Sequence, residues 1–299
     1  MSSSEDAPGT TGHVPVMLDE VLEWLAPQPG QVLIDGTLGG AGHTRALAER
    51  VGAEGLIISL DRDPAAVIAA KPVVANLPVH LFIANYCDIP EVLSQLKLEK
   101  VDGVLLDLGL SSDQLADRQR GFSFDADGPL DLRFNPEEGH PASEMVNRMR
   151  AEPLADLIYE FGEERFSRRI ARRIVEEREK RPIETAQQLA EIVRRAVPRS
   201  PETRRLDPAT RTFQALRIAV NNELKSLDQV LERLPDCVRP GGRIAVISFH
   251  SLEDRRVKEA FRNDDRYQVV TKKPLRPQES ETYSNPRARS AKLRVAARA

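Results

Sequence analysis

Over the first hundred residues, short apolar runs alternate with stretches whose apolar positions recur every three or four residues. The runs Gln31–Asp35, Leu56–Asp61, His80–Asn85 and Val101–Leu108 have strand length and turn-forming flanks. Such alternation predicts a parallel sheet with helices on its faces. The pattern then changes. From Ser112 to Arg211 the chain is helix-forming and strand-poor, opening on the turn-rich stretch 120–129 and closing on the proline-punctuated stretch 198–208. Phe213, Leu216, Val220, Leu224, Leu227, Leu231 and Leu234, spaced by three or four, predict one long amphipathic helix that ends at Pro240-Gly241-Gly242. Arg243–Phe249 predicts a further buried strand. The expected fold class is α/β, a Rossmann-like sheet with an inserted helical domain. Residues 12–111 and 212–299 would form the sheet domain, 112–211 the insertion, and 1–11 a disordered tail. Ligands bind at the carboxyl edge of such sheets, so the insertion is expected to form a lid or substrate wall there.

The first strand runs into a glycine turn, Ile34-Asp35-Gly36-Thr37-Leu38-Gly39-Gly40-Ala41-Gly42-His43, and the second ends at Asp61. That spacing suits a nucleotide turn followed by a carboxylate that holds a ribose. A dinucleotide fingerprint needs glycines at relative positions one, three and six, and no frame supplies them: from Gly40 the third falls on Arg45, and from Gly36 or Gly39 the second falls on Leu38 or Ala41. An open turn of this kind suits a ligand with an adenosine and an amino-acid tail, and S-adenosylmethionine is the natural candidate. A tight strand-to-helix connection is the alternative, and Asp61 weighs against it. Asp63-Pro64 reads as a helix cap and first turn, which leaves Asp61 for the ligand. Asp107, followed by Gly109-Leu110-Ser111-Ser112, stands at another strand end, where substrate would meet cofactor; an ordinary capping role is its alternative. Ser248–Arg255 closes a strand with His250, Glu253, Asp254 and Arg255, a polar cluster beside the same edge.

Composition narrows the class. The 299 residues are 40% hydrophobic and 30% charged, enough for a proper core, and no apolar run approaches the ~20 residues that cross a bilayer. Cys87 and Cys237 lack metal-ligand spacing, no metal site is expected, and a cytoplasmic location follows from two reduced thiols and the absence of a signal peptide. The net charge of −3 argues against indiscriminate nucleic-acid coating, yet Arg266 to Ala299 holds nine Lys or Arg against two acids. Arg287, Arg289, Lys292 and Arg294 are what phosphate contacts would require. The mixed Arg165–Arg181 segment reads instead as a solvated, salt-bridged helix face.

Six motifs in order resemble the RsmH/MraW family of methyltransferases: His13–Glu20, Asp107–Leu115, Arg120–Phe124, Ala209–Ile218, Ser248–Arg255 and Asn285–Ser290, with the glycine turn. The resemblance spans nearly the whole chain. It implies a class I methyltransferase sheet, S-adenosylmethionine as cofactor, and transfer to the exocyclic N4 of a cytidine in 16S ribosomal RNA of the small subunit. By that resemblance Ala41, Gly42 and His43 line the methionine end of the cofactor, Asp61 holds the ribose, Tyr86 stacks near the adenine, and Asp107 and Gln114 complete the site. Ala41 stands where some members have Gly, Tyr86 where some have Phe, and Asp113 where Pro is frequent. Asp107, or a carbonyl within 108–111, is expected to accept hydrogen bonds from the cytosine amine, and His250 to hold the base or receive the proton. Phe122, Phe124 or Phe249 would stack on the base, and the Arg-rich end would contact phosphates. Two rivals stay open: an S-adenosylmethionine enzyme acting on another amine, and a non-catalytic RNA-binding assembly factor.

Overall fold

The computed structural model describes residues 15–124, 127–198 and 206–299, so the expected tail at 1–11 lies outside the described residues. By contact, Met1–Ser112 and Leu224–Ala299 form one compact unit and Asp113–Glu223 another. The described strands are β1 (Val32–Asp35), β2 (Leu56–Asp61), β3 (Val79–Ile83), β4 (Val101–Asp107), β5 (Val238–Ser248), β6 (Tyr267–Val269) and β7 (Lys292–Arg298). The helices named below are α1 (Leu18–Leu25), α2 (Gly42–Val51), α3 (Pro64–Val74), α4 (Ile89–Gln95), α5 (Ser112–Ala116), α6 (Ala142–Arg148), α7 (Ala151–Gly162), α8 (Ser167–Arg178), α9 (Ala186–Ala196), α10 (Ala209–Asn221), α11 (Glu223–Cys237), α12 (Ser251–Asn263) and α13 (Glu279–Ser284). No helix among the described residues is long and apolar enough to cross a membrane.

In the first unit all seven strands form one sheet in the order β3-β2-β1-β4-β5-β7-β6. The first five run parallel; β7 is antiparallel to both β5 and β6. Side chains alternate between faces along a strand, so Leu33 and Ile34 enter different cores. On one face Leu33, Ile57 and Leu105 pack with Val21 and Leu25 of α1 and Leu47 and Val51 of α2. On the other, Ile34, Leu60, Val104 and Leu106 pack with Ile89 of α4, Leu227 and Leu231 of α11, and Val257 and Phe261 of α12. The order reverses between β1 and β4, and the cleft beyond their carboxyl ends is where an open parallel sheet accommodates a ligand.

The second unit is helical. Leu154 and Ile158 of α7, Ile170 and Ile174 of α8, Leu189 and Val193 of α9, and Phe213 and Leu216 of α10 are buried. The single long helix expected from Phe213 to Leu234 is two helices, broken at Asn222, whose backbone is left-handed at φ 52. Asparagine tolerates that conformation better than most residues. The preceding Asn221 explains the stop: its side chain accepts from the Phe134 amide at 2.7 Å and donates to the Leu132 carbonyl at 2.7 Å. The apolar stripe is thus divided between two cores, and α10 lies with 113–223, past the 211 boundary expected from the sequence.

Two strands, β6 and β7, were not expected. Basic residues along 292–298 read as a tail because charge was counted without its period. In β7 Leu293 and Val295 enter one core and Ala296 the other, while Arg294, buried, and Lys292 meet Asp254 at 2.7 and 3.0 Å. Burial raises the Asp254 pKa, but hydrogen bonds from Arg294 and Lys292 outweigh it and hold the carboxyl below its usual range. Removing one member of such a pair leaves a buried charge uncompensated. Asp254→Ala is expected to lower unfolding stability by about 3 kcal/mol, read from denaturant midpoints, with Asp254→Asn intermediate. A loss below about 0.5 kcal/mol would mean that the pair behaves as a surface bridge.

Candidate functional site

The parallel register arranges the site. Asp35 of β1 pairs with Ser59 of β2 and with Leu105 of β4. Asp61 and Asp107 lie two residues beyond those partners, so the strand period of two puts all three carboxylates on one face of the sheet, the face covered by α2. Asp35 is fully buried; it accepts from the Thr37 amide at 3.1 Å and the Thr44 hydroxyl at 2.6 Å, and Thr44 lies 2.8 Å from Ser59. Thr37 in turn accepts from the Asp107 amide at 2.7 Å, which ties the ends of β1 and β4 together. Asp35 and its hydroxyl partners escaped the sequence reading. The signal was an acid beside two threonines and a serine in otherwise apolar runs.

Asp61 is fixed at both oxygens. The amides of Gly39 and Asp63 each donate to it at 2.9 Å, while Asp63 caps α3 by accepting from Ala65 at 3.0 Å. Each carboxylate oxygen keeps a further lone pair for a hydroxyl ligand. Burial pushes the Asp61 carboxyl up to about 6 against those two amides. Ala41 takes φ 62, a left-handed conformation that explains why glycine suits this position. Gly42 and His43 open α2 immediately after it. Gly36 allows a close approach: a Cβ there would lie 2.5 Å from Leu106 Cδ2 and 3.1 Å from Tyr86 Cβ, so the half-buried Tyr86 is seated against the turn.

Asp107 is the least hydrogen-bonded carboxyl of the group among the described residues, and burial raises Asp35 as well. Its Oδ2 is 3.7 Å from His43 Nε2, and its Oδ1 is buried without a hydrogen-bond partner among the described residues. Burial is the main cause that pushes its pKa up to about 8; the Asp35 carboxylate adds to it and the Arg287 guanidinium opposes it. Arg287 also donates to the Leu110 carbonyl and to the Ser112 hydroxyl, so it braces the turn after β4. Within that turn Gly109 has φ 107 and faces Phe249.

His250 caps α12: its Nδ1 accepts from the Glu253 amide at 3.4 Å, and its Nε2 lies 3.1 Å from Glu253 Oε1. Glu253 returns the contact by accepting from the amides of Phe249 and His250. The cap engages Nδ1 and gives His250 a structural role at the start of α12, beside the expectation that it holds the base or receives the proton. Of the four basic residues expected on phosphates, Arg294 is buried against Asp254, Lys292 shares that partner, Arg287 braces the turn, and Arg289 is exposed. Gln114 lies in α5, buried, in the helical unit. Phe122 is buried and stacks on Phe134 at 5.8 Å, which makes it core; Phe124 packs on Phe213 at 5.1 Å.

Residues 10–299 match the MraW methylase family. The chain is similar to the ribosomal RNA small subunit methyltransferase H of Rhodopirellula baltica, 51% identical over 308 residues covering 99% of this chain and 94% of that protein. It is equally similar to the protein of that name from Deinococcus radiodurans, 51% identical over 299 residues and covering 100% and 93%. A solved rRNA methylase from Streptococcus thermophilus aligns over 94% of this chain and 93% of that chain, at 9% identity and a TM-score of 0.44.

The Asp107 carboxyl gives a pH-dependent test. Its pKa is raised on folding, so its contribution to stability is complete below the ordinary carboxylate pKa near 4 and is lost as pH rises through about 8. In the unliganded protein, the melting temperature of Asp107→Asn relative to wild type is expected to climb between about pH 5 and pH 8. A difference that stays flat over that range would show an ordinary carboxyl.

Proposed function

Because the chain belongs to the MraW methylase family and takes its methyl group from S-adenosylmethionine, we propose that it methylates the exocyclic N4 of a cytidine in 16S RNA of the small ribosomal subunit. The observation that carries the reading is Asp107: a carboxyl with raised proton affinity and an unpartnered buried oxygen, at the β1/β4 switch and beside Asp35 and Asp61. This donor set fits the cofactor, since carboxylates complement its ribose hydroxyls and its cationic sulfur. When bound, it supplies an electrophilic methyl on a positively charged sulfur. The lone pairs left on Asp61 would take the ribose diol, Tyr86 would bound the adenine, and Ala41, Gly42 and His43 would line the methionine end.

Cytosine N4 is a weak nucleophile because its lone pair is delocalised into the ring. Asp107 addresses this by accepting a hydrogen bond from the amine, which favours the geometry in which the nitrogen pyramidalises. To act as a base, Asp107 must be ionised, and a cation opposite it lowers the pKa from about 8. Methylation would make the N4 protons acidic, and the Asp107 carboxylate would be placed to take one of them. One carboxyl thus serves first as acceptor and then as base. His250 caps the start of α12, and Glu253 accepts from the Phe249 amide.

The direct test is methyl transfer from labelled S-adenosylmethionine to unmodified small subunits, with product nucleosides separated by mass spectrometry. Label in N4-methylcytidine, lost in Asp107→Ala, is the expected result. Label on another amine would move the substrate. RNA binding without any label would favour an assembly factor. A second expectation follows from charge linkage. S-adenosylmethionine should bind more tightly as pH rises from about 6 to about 8 because its cation displaces the Asp107 proton, whereas the neutral-sulfur product should change much less. Equal pH profiles for the two, measured by titration calorimetry, would remove Asp107 from contact with the sulfur.

A further inference from the structure

The helical unit carries a basic groove that the methyl-transfer chemistry does not use. α8 turns Ile170, Ala171 and Ile174 inward, which leaves Arg168, Arg169, Arg172 and Arg173 outward in pairs one turn apart. Arg169, Arg172 and Arg173, with Arg195 from α9, line an open groove of about 250 Å³ whose rim includes Glu176.

The expected salt-bridged face over Arg165–Arg181 is present in its second half. There Arg173 meets Glu176 and Glu177 at 3.0 and 3.1 Å, and Lys180 meets Glu177 at 3.3 Å. In the first half, Arg168, Arg169 and Arg172 make no ion pair among the described residues; Arg172 Nε reaches the Arg168 carbonyl at 3.4 Å. The charge order also opposes the helix dipole. Arg168 and Arg169 occupy the first turn, which has no acid, while Glu176 and Glu177 sit towards the other end. A helix charged for its own stability would carry the reverse order. Every cation of the groove is arginine, whose planar fork matches phosphate oxygens two at a time, where lysine offers a point charge.

We propose that this groove docks the phosphate backbone of ribosomal RNA. The proposal rests on the reading that the substrate is ribosomal RNA, and it places the sequence-independent contacts on α8 and α9 in place of β7, where Lys292 and Arg294 are held by Asp254.

The test uses the full chain with Arg169→Glu/Arg172→Glu, and Arg169→Ala/Arg172→Ala as a milder pair, each checked for wild-type melting. KM for unmodified small subunits and Kd for protein-free 16S RNA are measured across salt concentrations, together with kcat and S-adenosylmethionine affinity. Expected are at least a tenfold rise in KM and Kd for the glutamate pair, a smaller rise for the alanine pair, and unchanged kcat and cofactor affinity. The slope of log affinity against log salt should fall by about two, one per lost phosphate contact. Unchanged Kd and slope would overturn the proposal. So would a loss confined to assembled subunits, which would place a ribosomal protein on the groove. The two readings fail separately: wild type that makes no N4-methylcytidine but loses RNA affinity in the variant refutes the activity and keeps the surface. Normal methylation with normal RNA affinity in the variant does the opposite.

Discussion

Three acids at the ends of three adjacent parallel strands are the constraint on which the site depends. Like charges so placed in a buried setting repel, and the repulsion has to be answered locally. The chain answers it differently at each position. Asp35 is enclosed by the hydroxyls of Thr44 and Thr37 and by an amide. Asp61 is fixed by two backbone amides. Asp107 receives the least, a guanidinium acting through space and an imidazole nitrogen at 3.7 Å, and it holds a proton up to about 8. The gradient from satisfied to unsatisfied acid turns a strand-end cluster into a place for a cation.

The same register explains why the glycine turn is built as it is. Gly36 must leave β1 beneath Leu106 and Tyr86, so a side chain there would collide with the Leu106 side chain of the neighbouring strand and crowd the Tyr86 Cβ. Its amide still continues the ladder by donating to the Leu105 carbonyl at 2.9 Å, and Leu38 donates to Leu60 at 2.8 Å on the other side. The turn is therefore stitched to both flanking strands before it reaches the left-handed Ala41 and starts α2. Backbone bonds to both strands, the Asp35 and Asp61 carboxylates, and the packing of Leu38 and Ala41 against Val67, Ala70 and Val74 together hold the loop.

Much of this was legible in the chain. Strands β1 to β4 are apolar runs whose ends carry the informative acids, so their positions and the crevice followed from pattern alone. Asp61 and Asp107 were found because each terminates such a run. Two things were not legible, for one reason: linear charge counting carries no information about partners. Lys292 and Arg294 alternate with Leu293 and Val295, a strand period, but their counterion Asp254 is about 40 positions earlier and on a helix. His250 ends a strand beside acids, and Glu253 three residues later is also the mark of a capping box, a structural role that the pattern carried unnoticed. Asn222 escaped because both helices it separates share one apolar spacing.

The division of basic residues between structure and surface follows from where counterions are available. β7 lies inside the sheet, and its cations on the α12 face can be buried only because Asp254 meets them; a buried cation without such a partner would be expelled or neutralised. α8 lies at the surface of a separate unit with its apolar side covered, and water screens Arg168, Arg169 and Arg172 without any acid. An arginine row in water is tolerated at small cost; Arg178 in the last turn meets the helix dipole favourably, whereas Arg168 and Arg169 in the first turn carry a small penalty against it. A polyanion would offset it. The cations that matter for a nucleic acid are then those the fold leaves unpaired, and their number along the chain is a poor guide to which they are.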